Sequence, residues 1–205
     1  MHKPEKALAR AIKSLQEGKL IILKDSEDRE NEYDLCFAAQ WVTPQKINFL
    51  LHRGRGLICV PMLPVRLEEL KIPPMLPIEQ NTCPHKTGFT VSVNARFGIK
   101  SGISTHDRSQ TIRCLASKSS VSSDFTMPGH VFPLRVHDQG LEGRQGQTEA
   151  SVELMILAGL NPIAVICEIL AADGLIANEV QAKRLSRRYD MPIITIPEII
   201  QDKKP

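Results

Sequence analysis

Leu20-Ile21-Ile22-Leu23, then Asp25-Ser26-Glu27-Asp28-Arg29-Glu30-Asn31-Glu32-Tyr33-Asp34, then Leu35-Cys36-Phe37-Ala38-Ala39: two apolar runs of strand length enclose ten residues that hold six carboxylates. The chain as a whole is mildly basic, with a formal net charge of +3. An acidic loop pinned between two buried strands is not a solvated tail. Crowded carboxylates repel one another unless a cation or a basic group neutralises them. The internal Arg29 is one candidate, and a hard divalent metal with oxygen ligands is the other. A charged surface turn is the bland alternative, and the second half of the chain weighs against it.

Outward from this segment, helical and strand-like stretches alternate irregularly. Leu8, Ile12 and Leu15 recur at helical spacing and Gly18 follows as a stop, which predicts an N-terminal helix. Thr43-Pro44 supplies an N-cap with proline at the first helical position, for a helix ending near Gly54. Leu57 to Val60 reads as a buried strand, 73–84 as a proline-marked loop or lid, and Phe89 to Val93 as an alternating strand. Ser104 with Asp107 caps a helix running to Leu115. Met127 to Arg135 is marked by glycine and proline. A loop from Gln139 to Thr148 opens a helix that runs through Leu157 and stops at Gly159. Ile163 to Ile169 is a strand with Glu168 at its polar end. A basic helix over 179–189 and a strand from Ile193 to Ile196 follow. With no repeats and no linker, the expectation is one α+β (layered α/β) domain over residues 1–205.

Composition narrows the function classes. No apolar run approaches the ~18 residues of a membrane span. The lead-in Met1 to Lys6 has no signal-peptide apolar region, so a cytoplasmic location is expected. Cys36, Cys59, Cys83, Cys114 and Cys167 are odd in number, far apart and never in a Cys-x-x-Cys pair, which argues for reduced thiols. The basic residues are scattered, apart from Lys183, Arg184, Arg187 and Arg188 at helical spacing. Neither nucleic acid nor membrane is an expected partner.

Three further segments carry chemistry. Pro128-Gly129-His130-Val131-Phe132-Pro133 fixes a histidine between chain-stiffening residues, as a positioned acid/base requires. Arg144-Gln145-Gly146-Gln147-Thr148-Glu149 at a helix start combines free backbone N–H groups, a hydroxyl and a guanidinium, a ready site for a phosphate monoester. Val165-Ile166-Cys167-Glu168-Ile169 buries a carboxylate in an apolar strand, which predicts a raised pKa or a bound partner. Together with the acidic loop they suggest an enzyme handling a phosphorylated, oxygen-rich small molecule.

These segments, with Gly54 to Pro61, Phe89 to Val93 and Gly102-Ile103-Ser104 with Asp107-Arg108, resemble the 3,4-dihydroxy-2-butanone 4-phosphate synthases of riboflavin biosynthesis over nearly the whole chain. The resemblance implies a mixed sheet flanked by helices and a homodimer. It also implies a lyase that uses Mg2+ (or Mn2+) to convert ribulose 5-phosphate, a small sugar phosphate, to the four-carbon product and formate. Carried over by position, Glu30 matches the metal-binding glutamate, and Arg29 and Asp34 match substrate contacts. Arg144, Gly146 and Thr148 match the phosphate grip, while His130 and Glu168 match the proton-transferring pair. Two departures fall inside that pattern: Tyr33 replaces a glycine beside the substrate, and Gln147 replaces a metal-ligand histidine. Glycine permits positive φ or close approach, which tyrosine does not. Glutamine retains an oxygen for a hard cation but loses the imidazole. Altered or partial chemistry on ribulose 5-phosphate, and a sugar-phosphate-binding pseudoenzyme, are the alternatives these changes raise.

Overall fold

Helix α1 (Ala7–Gln16) presents Leu8, Ala11 and Leu15 on one buried stripe, as the 3.6-residue period requires. The computed structural model describes residues 7–203, so the first six residues of the predicted N-terminal segment lie outside it. Strands β1 (Ile21–Lys24) and β2 (Tyr33–Ala38) flank the acidic loop and pair antiparallel, Leu23 opposite Asp34 and Lys24 opposite Tyr33. The loop is therefore the connection of a hairpin, its ends held by the ladder.

Thr43 caps helix α2 (Pro44–Phe49) by accepting from Lys46 N, and a widened turn over Leu50–Gly54 continues it. Strand β3 (Cys59–Met62) and helix α3 (Pro64–Glu69) come next, then the 70–87 loop with strands β4 (Gly88–Phe89) and β5 (Val93–Ala95). Ser104 accepts from Asp107 N to start helix α4 (Thr105–Ala116). Strand β6 (Phe125–Arg135), the short helix α5 (Gly140–Gly143), helix α6 (Gln147–Leu157), strand β7 (Ala164–Glu168), helix α7 (Glu179–Tyr189), strand β8 (Ile193–Thr195) and helix α8 (Ile196–Lys203) complete the described chain.

The strands form one mixed sheet in the order β4-β6-β3-β7-β2-β1-β8, with β5 also on β6. The β1–β8 and β3–β6 pairs are parallel, the others antiparallel. Alternate residues feed two cores. Ile22, Leu35, Phe37, Val60, Val165 and Cys167 pack under α2, α4 and α7. Ile21, Leu23, Cys36, Ala38, Cys59 and Ile166 pack under α1, α6 and α8. Helices on both faces of a mixed sheet are the layered architecture expected.

Two expectations change. The 127–135 stretch belongs to an eleven-residue strand, Phe125–Arg135, between β4 and β3, although its prolines read as strand breakers. Pro133 lacks a donor, yet its carbonyl accepts from Thr90 N at 3.2 Å and Thr90 Oγ1 at 2.8 Å. The alternating run Phe89 to Val93 is split between β4 and β5, which meet β6 at separate registers, Phe89 opposite Leu134 and Val93 opposite Val131.

Tyr33 requires a correction. It sits at an odd position of β2, with Leu35 and Phe37, and its side chain is 4% exposed in the α2/α4/α7 core. Period-two alternation thus turns it away from Asp34 and from the acidic face, so it is not a substrate contact. Its backbone is extended. The left-handed residue of the loop is Asn31, at φ 53, a residue type that tolerates that region. Tyr33→Gly is expected to cost about 3–5 kcal/mol of stability by loss of a buried aromatic ring, read from the denaturation midpoint. A variant as stable as wild type would show that the ring does not pack as described.

Candidate active site

Asp25, 1% exposed, organises the acidic loop from its first position. Its Oδ1 accepts from Glu32 N at 2.9 Å, and its Oδ2 accepts from Glu30 N at 3.1 Å and Arg29 Nη1 at 2.9 Å. A carboxylate that takes two backbone amides shapes the turn as a ligand would shape a nest. The same Arg29 Nη1 contacts Glu30 Oε2 and donates to Gln147 Oε1 at 2.9 Å. One guanidinium nitrogen therefore serves three oxygens from two distant segments.

At the far end of the hairpin, Asp34 lies directly opposite Glu168 in the β2–β7 ladder. Both side chains point to the α6 face. Burial, reinforced by Glu168 and Glu32, pushes the Asp34 carboxyl well above the usual carboxylate range. Burial likewise raises Glu168, against the opposing donation of Leu57 N to its Oε2 at 2.8 Å. Burial first, then the charges of Glu30 and Glu168, lifts Glu32 to about 7. Gly56 explains the Gly54-Arg55-Gly56 signature: a Cβ there would lie 2.3 Å from Glu168 Oε2, so only glycine lets the backbone pass the carboxylate.

Helix α6 aims its first turn at the same place. Gly146 is its N-cap, with no side-chain cap, and a Cβ at 146 would meet Arg144 Nη1 at 2.5 Å. The space lets Arg144 fold back to buried Glu149, whose Oε2 accepts from Nη1 at 2.6 Å. Arg144 Nε donates to the His85 carbonyl and Nη2 to Thr87 Oγ1, both at 2.8 Å. The guanidinium thus fastens the 81–87 loop to the helix start. Thr148, 4% exposed, stands one residue into the helix after Gln147.

A cavity of about 170 Å³ gathers these groups. Arg29, Glu30, Asp34, Arg144, Gln147, Thr148 and Glu168 line it, as the sequence reading expects. Gly146 contributes the close approach beside it. His130 does not reach it: it is exposed on β6, its backbone N donating to Asn94 Oδ1 at 2.9 Å and its ring within 3.2 Å of the Asn94 amide. Glu32, Cys59, Cys83, Thr87 and Phe89 also line the cavity and were not singled out from the sequence. Glu32 stands just before β2 and two residues from Asp34, and that spacing was a signal for it. Cys83 carried no local signal, since only the fold brings its loop over β2 and β7.

The sequence profile of 3,4-dihydroxy-2-butanone 4-phosphate synthase matches residues 9–202. The chain belongs to that family. A 3,4-dihydroxy-2-butanone 4-phosphate synthase of Desulfotalea psychrophila is 36% identical over 96% of this chain and 91% of its own. A riboflavin biosynthesis protein RibBA of Aquifex aeolicus is 46% identical over 93% of this chain and 47% of its own. The monofunctional riboflavin biosynthesis protein RIBA 2, chloroplastic, of Arabidopsis thaliana is 41% identical over 97% of this chain and 42% of its own. The chain thus spans about half the length of several curated relatives it matches. A solved 3,4-dihydroxy-2-butanone 4-phosphate synthase in complex with two magnesium ions superposes with a TM-score of 0.91 at 36% identity, covering 97% of this chain and 96% of that one.

The donor set in this synthase-family chain fits a hard divalent cation. Asp34 Oδ1 is buried and, among the described residues, has no hydrogen-bond partner. Glu30, Glu32 and Gln147 offer further oxygens at the same cavity. Among the described residues no three His, Cys, Asp or Glu side chains are arranged to hold a metal ion by themselves. The raised carboxyls also fix a pH response. A raised pKa means that the folded state holds its protons longer than the unfolded chain does. Between the ordinary carboxylate range and about 7, the native state binds more protons, so metal-free stability falls as pH rises. The melting temperature of metal-free protein is expected to drop between about pH 5 and about pH 8, and Glu32→Gln to flatten that drop. A rise across this window in wild type, or an unchanged slope in the variant, would refute the desolvated-carboxylate account.

Proposed function

We propose that this chain, acting as one domain in the cytoplasm, is a metal-dependent carbon–carbon lyase that converts ribulose 5-phosphate to 3,4-dihydroxy-2-butanone 4-phosphate and formate. The observation that carries the reading is the Asp34–Glu168 pair, two desolvated carboxyls at one rung of the ladder, facing a helix start equipped for phosphate. The reaction needs no oxidant or reductant, because the five-carbon ketose phosphate divides into the four-carbon ketone phosphate and formic acid with every atom accounted for. It does need repeated proton transfers.

Each residue has a task in that sequence. The N–H groups of α6, with Thr148 and Arg144, bind the phosphate and fix which end of the sugar faces the carboxyls. Close like charges cannot both ionise readily, so one of the Asp34–Glu168 pair holds a proton while the other accepts one. That division supplies the base for enolisation and the acid for loss of water. Arg29, Glu30 and Gln147 orient the hydroxyls near the acidic loop. Glu30, with the Gln147 oxygen that also accepts from Arg29, would hold a divalent cation (Mg2+ or Mn2+), which when bound would supply charge stabilisation for adjacent sugar oxygens.

His130 has a place in this scheme in a homodimer. It is exposed on β6, and Met127 on the same strand, Phe97 just after β5 and Ile103 just before α4 are exposed large apolar side chains that a second copy would cover. In a two-fold dimer His130 of one copy serves the cavity of the other.

Incubation with ribulose 5-phosphate and Mg2+, followed by mass spectrometry and a formate assay, tests the reaction. Four-carbon phosphate and formate are expected, and Glu168→Gln should lower turnover by roughly 10²–10⁴-fold. A dehydrated five-carbon product would establish partial chemistry instead, and unchanged substrate a binding protein. The dimer has its own test in mixed variants. His130→Ala and Glu168→Gln, each inactive alone, should regain about a quarter of wild-type activity after subunit exchange, because half the dimers then hold one intact site. No recovery from a verified mixed dimer would show that His130 does not serve the partner's cavity, and wild-type turnover in His130→Ala would place it outside the reaction.

A further inference from the structure

Glu30, in the wall of the acidic cavity, has a nitrogen donor beside it that comes from a distant part of the chain. His85 Nε2 stands 4.0 Å from Glu30 Oε1, with 37% and 32% of the two side chains exposed. The residue that replaces the expected imidazole, Gln147, already spends its carbonyl oxygen on Arg29. The loop that carries His85 is braced at both ends: Asn81 Nδ2 donates to the Thr87 carbonyl, and Cys83 N donates to Asn81 Oδ1, each at 3.0 Å. Arg144 fastens the loop through the His85 carbonyl itself. The imidazole is therefore placed beside Glu30 by contacts that do not involve its own ring. An independent sign of a missing ligand is Asp34 Oδ1, buried in the wall of the same cavity and unpartnered among the described residues.

We propose that His85 is the imidazole ligand of this chain's divalent cation, binding it together with Glu30. The inference rests on the metal-dependent reading above and adds to it the ligand that residue 147 no longer provides. Metal–nitrogen and metal–oxygen bonds of about 2.1 Å let one cation reach donors up to about 4 Å apart. A neutral ring carrying its proton on Nδ1 offers the Nε2 lone pair. An imidazole adds little for Mg2+ and more for first-row transition cations, so this site favours Mn2+ or Co2+ over Mg2+.

The test is Mn2+ binding to the metal-free full chain, followed by electron paramagnetic resonance, with pulsed spectra read for coupling to a directly bound imidazole nitrogen. Wild type is expected to show the coupling. His85→Ala and the shape-conserving His85→Phe should lose it and bind Mn2+ about 10–100-fold more weakly, with unchanged melting temperatures. Gln147→Ala should keep the coupling, and Gln147→His in the His85→Ala background should bring it back. Coupling that survives in His85→Ala, or is absent from Mn2+-loaded wild type, overturns the proposal. Binding that depends on Glu30, in a Glu30→Ala control, but not on His85 sinks this inference alone. Binding indifferent to both variants sinks the metal reading with it.

Discussion

Two carboxylates meet at one rung of the sheet, Asp34 on β2 and Glu168 on β7, and the surrounding structure is arranged around keeping them there. Among the described residues neither is paired with a cationic side chain. Leu57 N partly satisfies Glu168, and Gly56 leaves the room for it. Among the described residues one oxygen of Asp34 has no hydrogen-bond partner. Burial raises the pKa of both, and Glu168 adds to the rise at Asp34, so the pair is costly when ionised. The pair is possible because both residues sit at strand positions held by apolar neighbours on the opposite face. Leu35 and Phe37 bury the other side of β2, and Val165 and Cys167 the other side of β7.

The remaining acidic residues are treated differently. Asp25 is equally buried but accepts two backbone amides and a guanidinium, so it stabilises the loop rather than straining it. Arg29 links Asp25, Glu30 and Gln147 through a single nitrogen, which binds the hairpin to the start of α6. Arg144 makes the corresponding link on the other side, from the helix start to the 81–87 loop. The cavity is thus framed by two arginines, each bridging segments far apart in sequence. Loss of either would loosen the geometry as well as remove a charge.

The departures from the family pattern have unequal weight. Tyr33 is a core residue that does not line the cavity. Gln147 lies in the cavity wall and alters its donors directly. An imidazole on the braced 81–87 loop, His85, stands 4.0 Å from Glu30 beside the donors that Gln147 alters.

Local order was legible in the sequence wherever a short-range rule dominated. The caps at Thr43 and Ser104, the apolar stripe of α1, the hairpin around the acidic loop and the helix through Leu157 all follow from spacing and end signals. Most of the cavity lining was also named from the sequence: Arg29, Arg144, Thr148 and Glu168 from the residue types of their segments, and Glu30, Asp34 and Gln147 from the family resemblance. What the sequence left open was decided by pairing across the sheet. β6 is a strand despite its prolines because β3, β4 and β5 supply its partners. The strand register turned Tyr33 away and set Asp34 against Glu168. Only the tertiary fold brought Cys59, Cys83 and His85 to the acidic loop and kept His130 from it, since contacts between distant segments depend on the packing of the layers and not on any local pattern.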